Sequence, residues 1–173
     1  MIGSRSRLLA ITTGFVLLLI GLAQAEDDRG EPNAFLKGTF RFSTVKTCTD
    51  VVIGSIVHFH FNGTIIYDGA GSATLSQQGM LVLPGSTPLS FEERAELTYL
   101  PKPNGGFIQE GTFVAADHSY TVTGTRMIGQ IDAQGAVVML SGPIPSVKET
   151  VTSSAGGISQ YYCGAFGTAI RIR

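Results

Sequence analysis

The sequence predicts an all-β protein, an antiparallel meander that closes into a barrel of about eight strands. Three observations carry this expectation. Segments of alternating apolar and polar residues recur along the chain, the period of a half-buried strand. The links between them are short and rich in Gly, Asn, Asp, Ser and Pro. No helix-length amphipathic segment follows residue 25. A β-sandwich is the alternative architecture, and closure is favoured because it removes the two exposed edges of an open sheet.

The amino end has the character of an address. Arg5 and Arg7 precede an apolar run over residues 8–22, and Ala23-Gln24-Ala25 is a small-residue cleavage site. Residues 1–25 are therefore expected to be a signal peptide, cleaved after Ala25, which implies a secreted or periplasmic protein. The apolar run is shorter than the ~20 residues of a membrane span. The first cysteine, Cys48, lies too far downstream for lipid attachment at that site. Residues 26–34 (EDDRGEPNA) are charged and carry Gly and Pro, the composition of a flexible leader. Residues 35–173 are then a single β-barrel domain.

Setting aside Arg5 and Arg7 from the 12 Lys and Arg leaves 10 against 13 Asp and Glu, a net charge of −3. No basic stripe offers a footprint for nucleic acid or an anionic membrane surface.

The strands follow in order. In residues 36–48, Leu36, Gly38, Phe40, Phe42 and Thr44 share one face. In the next run Val57, Phe59, Phe61, Ile65 and Tyr67 face one way and His58, His60, Asn62, Thr64 and Asp68 the other, with Gly63 marking a bend. Residues 72–83 form a weaker strand, and residues 84–88 (PGSTP) break the chain. Ser90-Phe91-Glu92-Glu93 has the S-x-x-E form of a helix capping box, so a short helix or an irregular loop is expected before a strand at 96–102. Asn104-Gly105 can supply the positive φ angles of a tight hairpin, which pairs that strand with 107–115.

Residues 107–131 are themselves a hairpin about the polar link 116–119. Its second strand changes phase: Tyr120 and Val122 are apolar on one parity, Met127 and Ile131 on the other. A bulge near Gly124 explains this, because one inserted residue swaps faces. Turns at 132–135 and 153–157 and a corner at 142–145 delimit the remaining strands, the last over 159–171.

Cys48 closes the first strand and Cys163 lies in the last, and these strands are neighbours in a closed meander. A disulfide is the expected state in an oxidising compartment. It would enclose about 115 residues, worth on the order of 4–5 kcal/mol in the chain-entropy model. The rival, two free thiols acting as nucleophile or ligand, lacks a C-x-x-C motif and a neighbouring His.

Gly38-Thr39-Phe40 stands on the first strand where the lipocalin and wider calycin group carries G-x-W, and Arg171 stands where that group places a basic residue against the Trp. On these positions and on its strand pattern the chain resembles that group, although it contains no Trp. The resemblance implies a secreted barrel holding a small apolar molecule in its mouth. Barrels of the allene oxide cyclase and dirigent type are a second architectural likeness.

Candidates for chemistry are few. His58 and His60 share a strand face, as two metal ligands would, but a third from Asp68 or His118 is not assured by spacing, and a solvated pair is expected. Metal ligands and cofactors are therefore not assigned. Glu92, Glu93, Glu96 and Glu110 are acidic without a visible convergence. No G-x-S-x-G elbow and no phosphate-binding loop occurs.

The aromatic strand residues are the better lead. Phe40, Phe42, Phe59, Phe61, Tyr67, Phe113 and Tyr120, with Arg126, are the candidate ligand-binding set. A barrel of eight strands is just wide enough to be filled by its own side chains or to hold one small ligand. The leading expectation is a secreted, non-enzymatic binding module, its partner a small apolar molecule. The alternative is an isomerase or cyclase working in the cavity, with Arg126, Glu110 or a histidine as polar group. An outer-membrane barrel is the third class, opposed by the lack of Trp and of aromatic girdles.

Overall fold

The computed structural model describes residues 35–83 and 85–172. The signal peptide and the leader expected at the amino end, residues 1–34, lie outside the described residues. Nine strands follow in order: β1 (Lys37–Asp50), β2 (Ile56–Asp68), β3 (Ser72–Val82), β4 (Leu89–Pro101), β5 (Gly106–Ala115), β6 (Tyr120–Ile131), β7 (Val137–Ser141), β8 (Lys148–Ser153) and β9 (Ile158–Arg171).

All pairings are antiparallel, and each strand from β1 to β6 pairs with the next. Closure comes from β1 against β9, from Phe40↔Arg171 to Asp50↔Tyr161. Between β6 and β9 two short strands share one stave. β7 pairs with Ile128–Ile131 of β6, and β8 pairs with Tyr120–Thr123. Both also pair with β9. The fold is an eight-stave barrel whose seventh stave is broken over residues 142–147. Gly142 and Pro143 with Pro145 explain the break, since proline gives no N–H to a ladder.

The alternation read from sequence sets the two faces. Phe40, Phe42, Phe61, Ile65, Tyr67, Leu75, Ala95, Leu97, Phe107, Val138 and Ala169 are buried inside. Two inward glycines make room for the rings opposite them. A Cβ on Gly79 would overlap the ring of its partner Phe91, and one on Gly129 would overlap the ring of its partner Phe107. In both pairs an aromatic ring covers the space of an absent side chain.

The β5–β6 hairpin contains the expected bulge. Its register shifts by one residue between Gly111 and Phe113, and Gly124 adopts φ 80°. Val122 and Thr125, three residues apart, are consequently both buried. One expectation is corrected at Ser90–Glu93, where the S-x-x-E motif caps no helix. These residues are part of β4, and Phe91 and Glu93 face the interior with Ala95, Leu97 and Tyr99. An acidic residue pointing inward broke the apolar alternation and concealed the strand.

Cys48 and Cys163 are cross-strand partners and form the disulfide, with Cα atoms 4.1 Å apart. It joins the first and last staves near one end of the barrel and is consistent with an oxidising, extracellular environment.

Candidate functional site

The interior has two halves. At the end where β1 begins, the rings of Phe40, Tyr67, Tyr99 and Phe107 interlock edge to face, with centroids 5.2 to 6.3 Å apart. Leu36, Ile131, Val138 and Ala169 complete this floor. Tyr67 is deeply buried, and its phenol donates to Gln109 Oε1 at 2.7 Å. Desolvation raises the Tyr67 pKa, with the nearby Tyr99 adding to it, so the phenol stays protonated.

Above the floor the barrel opens into a cavity of about 500 Å³ at the disulfide end. That volume lies within the range of small-molecule sites. Phe42, Phe59, Phe61, Phe91, Phe113 and Leu81 supply its apolar wall. Phe59 and Phe61 stack at 5.8 Å, and Phe91 meets Phe61 edge-on at 5.8 Å and Tyr120 at 6.3 Å.

Two polar groups are set into this wall. Glu93, 5% exposed, accepts from Gln77 Nε2 at 2.5 Å and from the Tyr120 phenol at 2.8 Å. Burial, and then the charge of Glu93, raise the Tyr120 pKa, which keeps the phenol a donor at neutral pH. On the opposite side Lys46 Nζ lies 2.5 Å from Glu149 Oε2, with side-chain exposures of 16% and 8%. Thr125 also lines the cavity, and its buried hydroxyl has no hydrogen-bond partner among the described residues.

Each of these positions follows from strand parity. Thr44, Lys46 and Cys48 continue the inward face of β1, and Gln77 that of β3. Glu93 continues that of β4.

The cavity brings together Phe42, Phe59, Phe61, Phe113 and Tyr120 of the aromatic set read from sequence. Phe40 and Tyr67 belong instead to the floor, one turn of the pattern too deep to line it. Arg126 is on the outer face, where its Nε pairs with Glu110 Oε1 at 2.8 Å and both side chains are about half exposed. His58 and His60 are also outside and exposed, with His58 Nδ1 3.1 Å from the Thr47 hydroxyl. The sequence reading missed Lys46, Gln77 and Glu149 altogether, and it placed Glu93 in a loop. Their parity was the available signal, since each occupies the same alternation as its apolar neighbours.

A broader depression of about 1110 Å³ crosses the outside of β2 to β6 and is lined by Thr64, Thr74, Arg94, Glu96 and the Arg126–Glu110 pair. It is open to solvent, whereas the inner cavity is walled by the barrel. The inner cavity is the better candidate on physical grounds, because enclosure removes ligand surface from water.

No protein-family model matches the chain, and no curated protein sequence matches it. Phe40 and Arg171 meet at the closing seam of the barrel. The Arg171 guanidinium lies over the Phe40 ring, 5.1 Å from its centroid, and its Nη2 donates to the Phe35 carbonyl at 2.6 Å. The contact is a cation–π pair across the closing seam of the barrel.

Proposed function

We propose that the protein is a secreted, non-enzymatic binding module that takes up one small, largely apolar molecule in its barrel. The observation that carries this reading is the cavity of about 500 Å³, walled by Phe42, Phe59, Phe61, Phe91 and Phe113. A core that filled itself would have closed this volume, as the floor does a few residues away. The disulfide at the mouth supports export, because such bonds persist in oxidising compartments. The Arg171–Phe40 contact supports the calycin-like resemblance, with Phe40 in the place of the Trp. Outward residues Thr74, Ser76 and Gln78 of β3 and Glu92, Arg94 and Glu96 of β4 are exposed and polar. On these two strands that is the reverse of the apolar outer band of a membrane barrel, whereas Val45, Met139, Phe166 and Ile170 on β1, β7 and β9 are apolar and exposed.

Titration of the mature chain with an environment-sensitive apolar dye tests the proposal. Saturable binding of one dye per chain, abolished by Phe61→Trp or Phe113→Trp filling of the cavity, is expected. A protein that keeps its fold and shows no saturable site would refute it.

A cavity-based isomerase or cyclase is the second reading, favoured by the charged and polar side chains on the cavity wall. The polar groups first considered for it, Arg126 and Glu110, pair with each other outside the barrel. Lys46, Glu93 and Glu149, with the protonated Tyr120, take their place. An isomerase or cyclase would convert a bound ligand into an isomer of the same mass, whereas a binding module returns it unchanged; NMR of the ligand recovered after incubation separates the two readings.

A further inference from the structure

Charge is not balanced inside the cavity. Its lining contains one cation, Lys46, and two carboxylates, Glu93 and Glu149, which leaves a net charge of −1. Lys46 is committed to Glu149 at 2.5 Å. Among the described residues no cation is a hydrogen-bond partner of Glu93. Tyr120 donates to one of its oxygens and Gln77 to the other, so both oxygens act as acceptors. A carboxylate has about four lone-pair sites, of which these donors occupy two. A buried anion is costly unless it is paired, and two neutral donors do not supply the missing positive charge.

From this imbalance, we infer that the cavity selects a molecule with a cationic head, an alkyl or aromatic amine, whose ammonium group meets the Glu93 carboxylate. The inference rests on the binding reading given above and names the ligand class for the same site. Three features of the wall fit such a molecule. Glu93 offers free lone pairs on both oxygens. Thr125 presents a buried hydroxyl with no partner among the described residues elsewhere on the cavity wall, an acceptor for a second polar group of the ligand. Phe59, Phe61, Phe91 and Tyr120 form a cluster of rings of the kind that attracts cations through the negative face of the π system. A carboxylate head would be repelled by Glu93 and would have to displace Glu149 from Lys46. An alcohol would gain only the neutral part of the interaction.

The test is displacement of the bound apolar dye by nonylamine, 1-nonanol and nonanoate at pH 7, which share one chain and differ in head group. Nonylammonium is expected to bind about tenfold or more tighter than nonanol, the margin of a hydrogen bond to a charged group, and nonanoate weakest. In Glu93→Gln the ratio of ammonium to alcohol affinity is expected to fall to near one. The comparison on the unaltered protein stands even if that variant does not fold. Equal or tighter binding of nonanol or nonanoate overturns the amine assignment and leaves the apolar cavity in place. Failure of all three to displace a dye that does bind also overturns it. A protein that binds no dye at all refutes the underlying reading, which is a different result from either.

Discussion

The two ends of the barrel interior are built from the same residue types on the same staves, yet one is packed solid and the other hollow. At the floor, Phe40, Tyr67, Tyr99 and Phe107 converge, and the phenols are used to seal it. Tyr67 reaches Gln109, and Tyr99 donates to the Leu36 carbonyl at 3.1 Å and to Asp68 at 3.2 Å. At the mouth, Phe42, Phe59, Phe61, Phe91 and Phe113 stay along the wall, and the inward positions between them are polar: Thr44, Lys46, Gln77, Glu93 and Glu149. Polar side chains that are paired with each other cannot collapse into the centre as leucines would. The hollow is thus kept open by groups whose hydrogen bonds hold them at the wall, and the floor provides the packing that this end forgoes.

The largest effect should come from deleting a floor ring. Phe107 is 1% exposed and packs on Tyr67, Tyr99 and Gly129. Phe107→Ala is expected to cost about 3–5 kcal/mol in urea unfolding, the usual range for a buried aromatic. Phe59→Ala at the mouth removes a ring that already borders empty space, so about 1–2 kcal/mol is expected from lost apolar burial. Equal losses at the two sites would erase the distinction between a packed and a hollow half.

The next test concerns the charges. Lys46→Met leaves Glu149 buried without its partner, a loss of about 3–5 kcal/mol for a broken buried pair. Combining Lys46→Met with Glu149→Leu removes both charges, and the double variant is expected to unfold near the unaltered protein or above it. The doubled change also makes that wall apolar. Because the double variant leaves Glu93 with its Gln77 and Tyr120 donors in place, it is expected to keep its preference for an ammonium head group, and loss of that preference would assign the discrimination to the Lys46–Glu149 pair instead.

This asymmetry also explains what could be read beforehand. The staves were legible because Phe40, Phe42, Phe59, Phe61, Tyr67 and Val122 obey a period of two, which depends only on local backbone geometry. The bulge was legible too, since Gly124 separates two apolar parities. Depth along the barrel axis was not. Whether an inward ring belongs to the floor, like Tyr67, or to the cavity, like Phe61, depends on the register of every pairing around the barrel, and no local pattern encodes that. The polar wall was hidden for a related reason. Lys46, Glu93 and Glu149 have the same residue types as surface positions, and inward orientation is visible only once their neighbours' parity is trusted over their polarity. At Glu93 the competing capping-box pattern diverted the reading from strand to a short helix or an irregular loop.

The smallest expected effect lies at the outer edge of the floor and separates the two ends by pH. Asp68 ends β2, and its Oδ1 accepts from the backbone N–H groups of Ala70 at 2.7 Å and Ser72 at 2.9 Å and from the Tyr99 phenol. The backbone donors, Ala70 and then Ser72, hold its pKa below the ordinary 3.8, against a smaller opposing effect of desolvation. A carboxyl whose folded pKa is depressed contributes stability above its unfolded pKa and loses that contribution as pH falls through the folded value. The stability gap between the unaltered protein and Asp68→Asn should therefore be constant from pH 7 to about pH 5 and shrink below about pH 4. Chemical denaturation at a series of pH values measures it. Because Asp68 is at the floor end, dye affinity at the mouth should not change in the variant at pH 7. A gap that widens as pH falls would mean that the carboxylate is not the favoured form in the folded turn, and a change in dye affinity would mean that the two halves of the barrel are coupled.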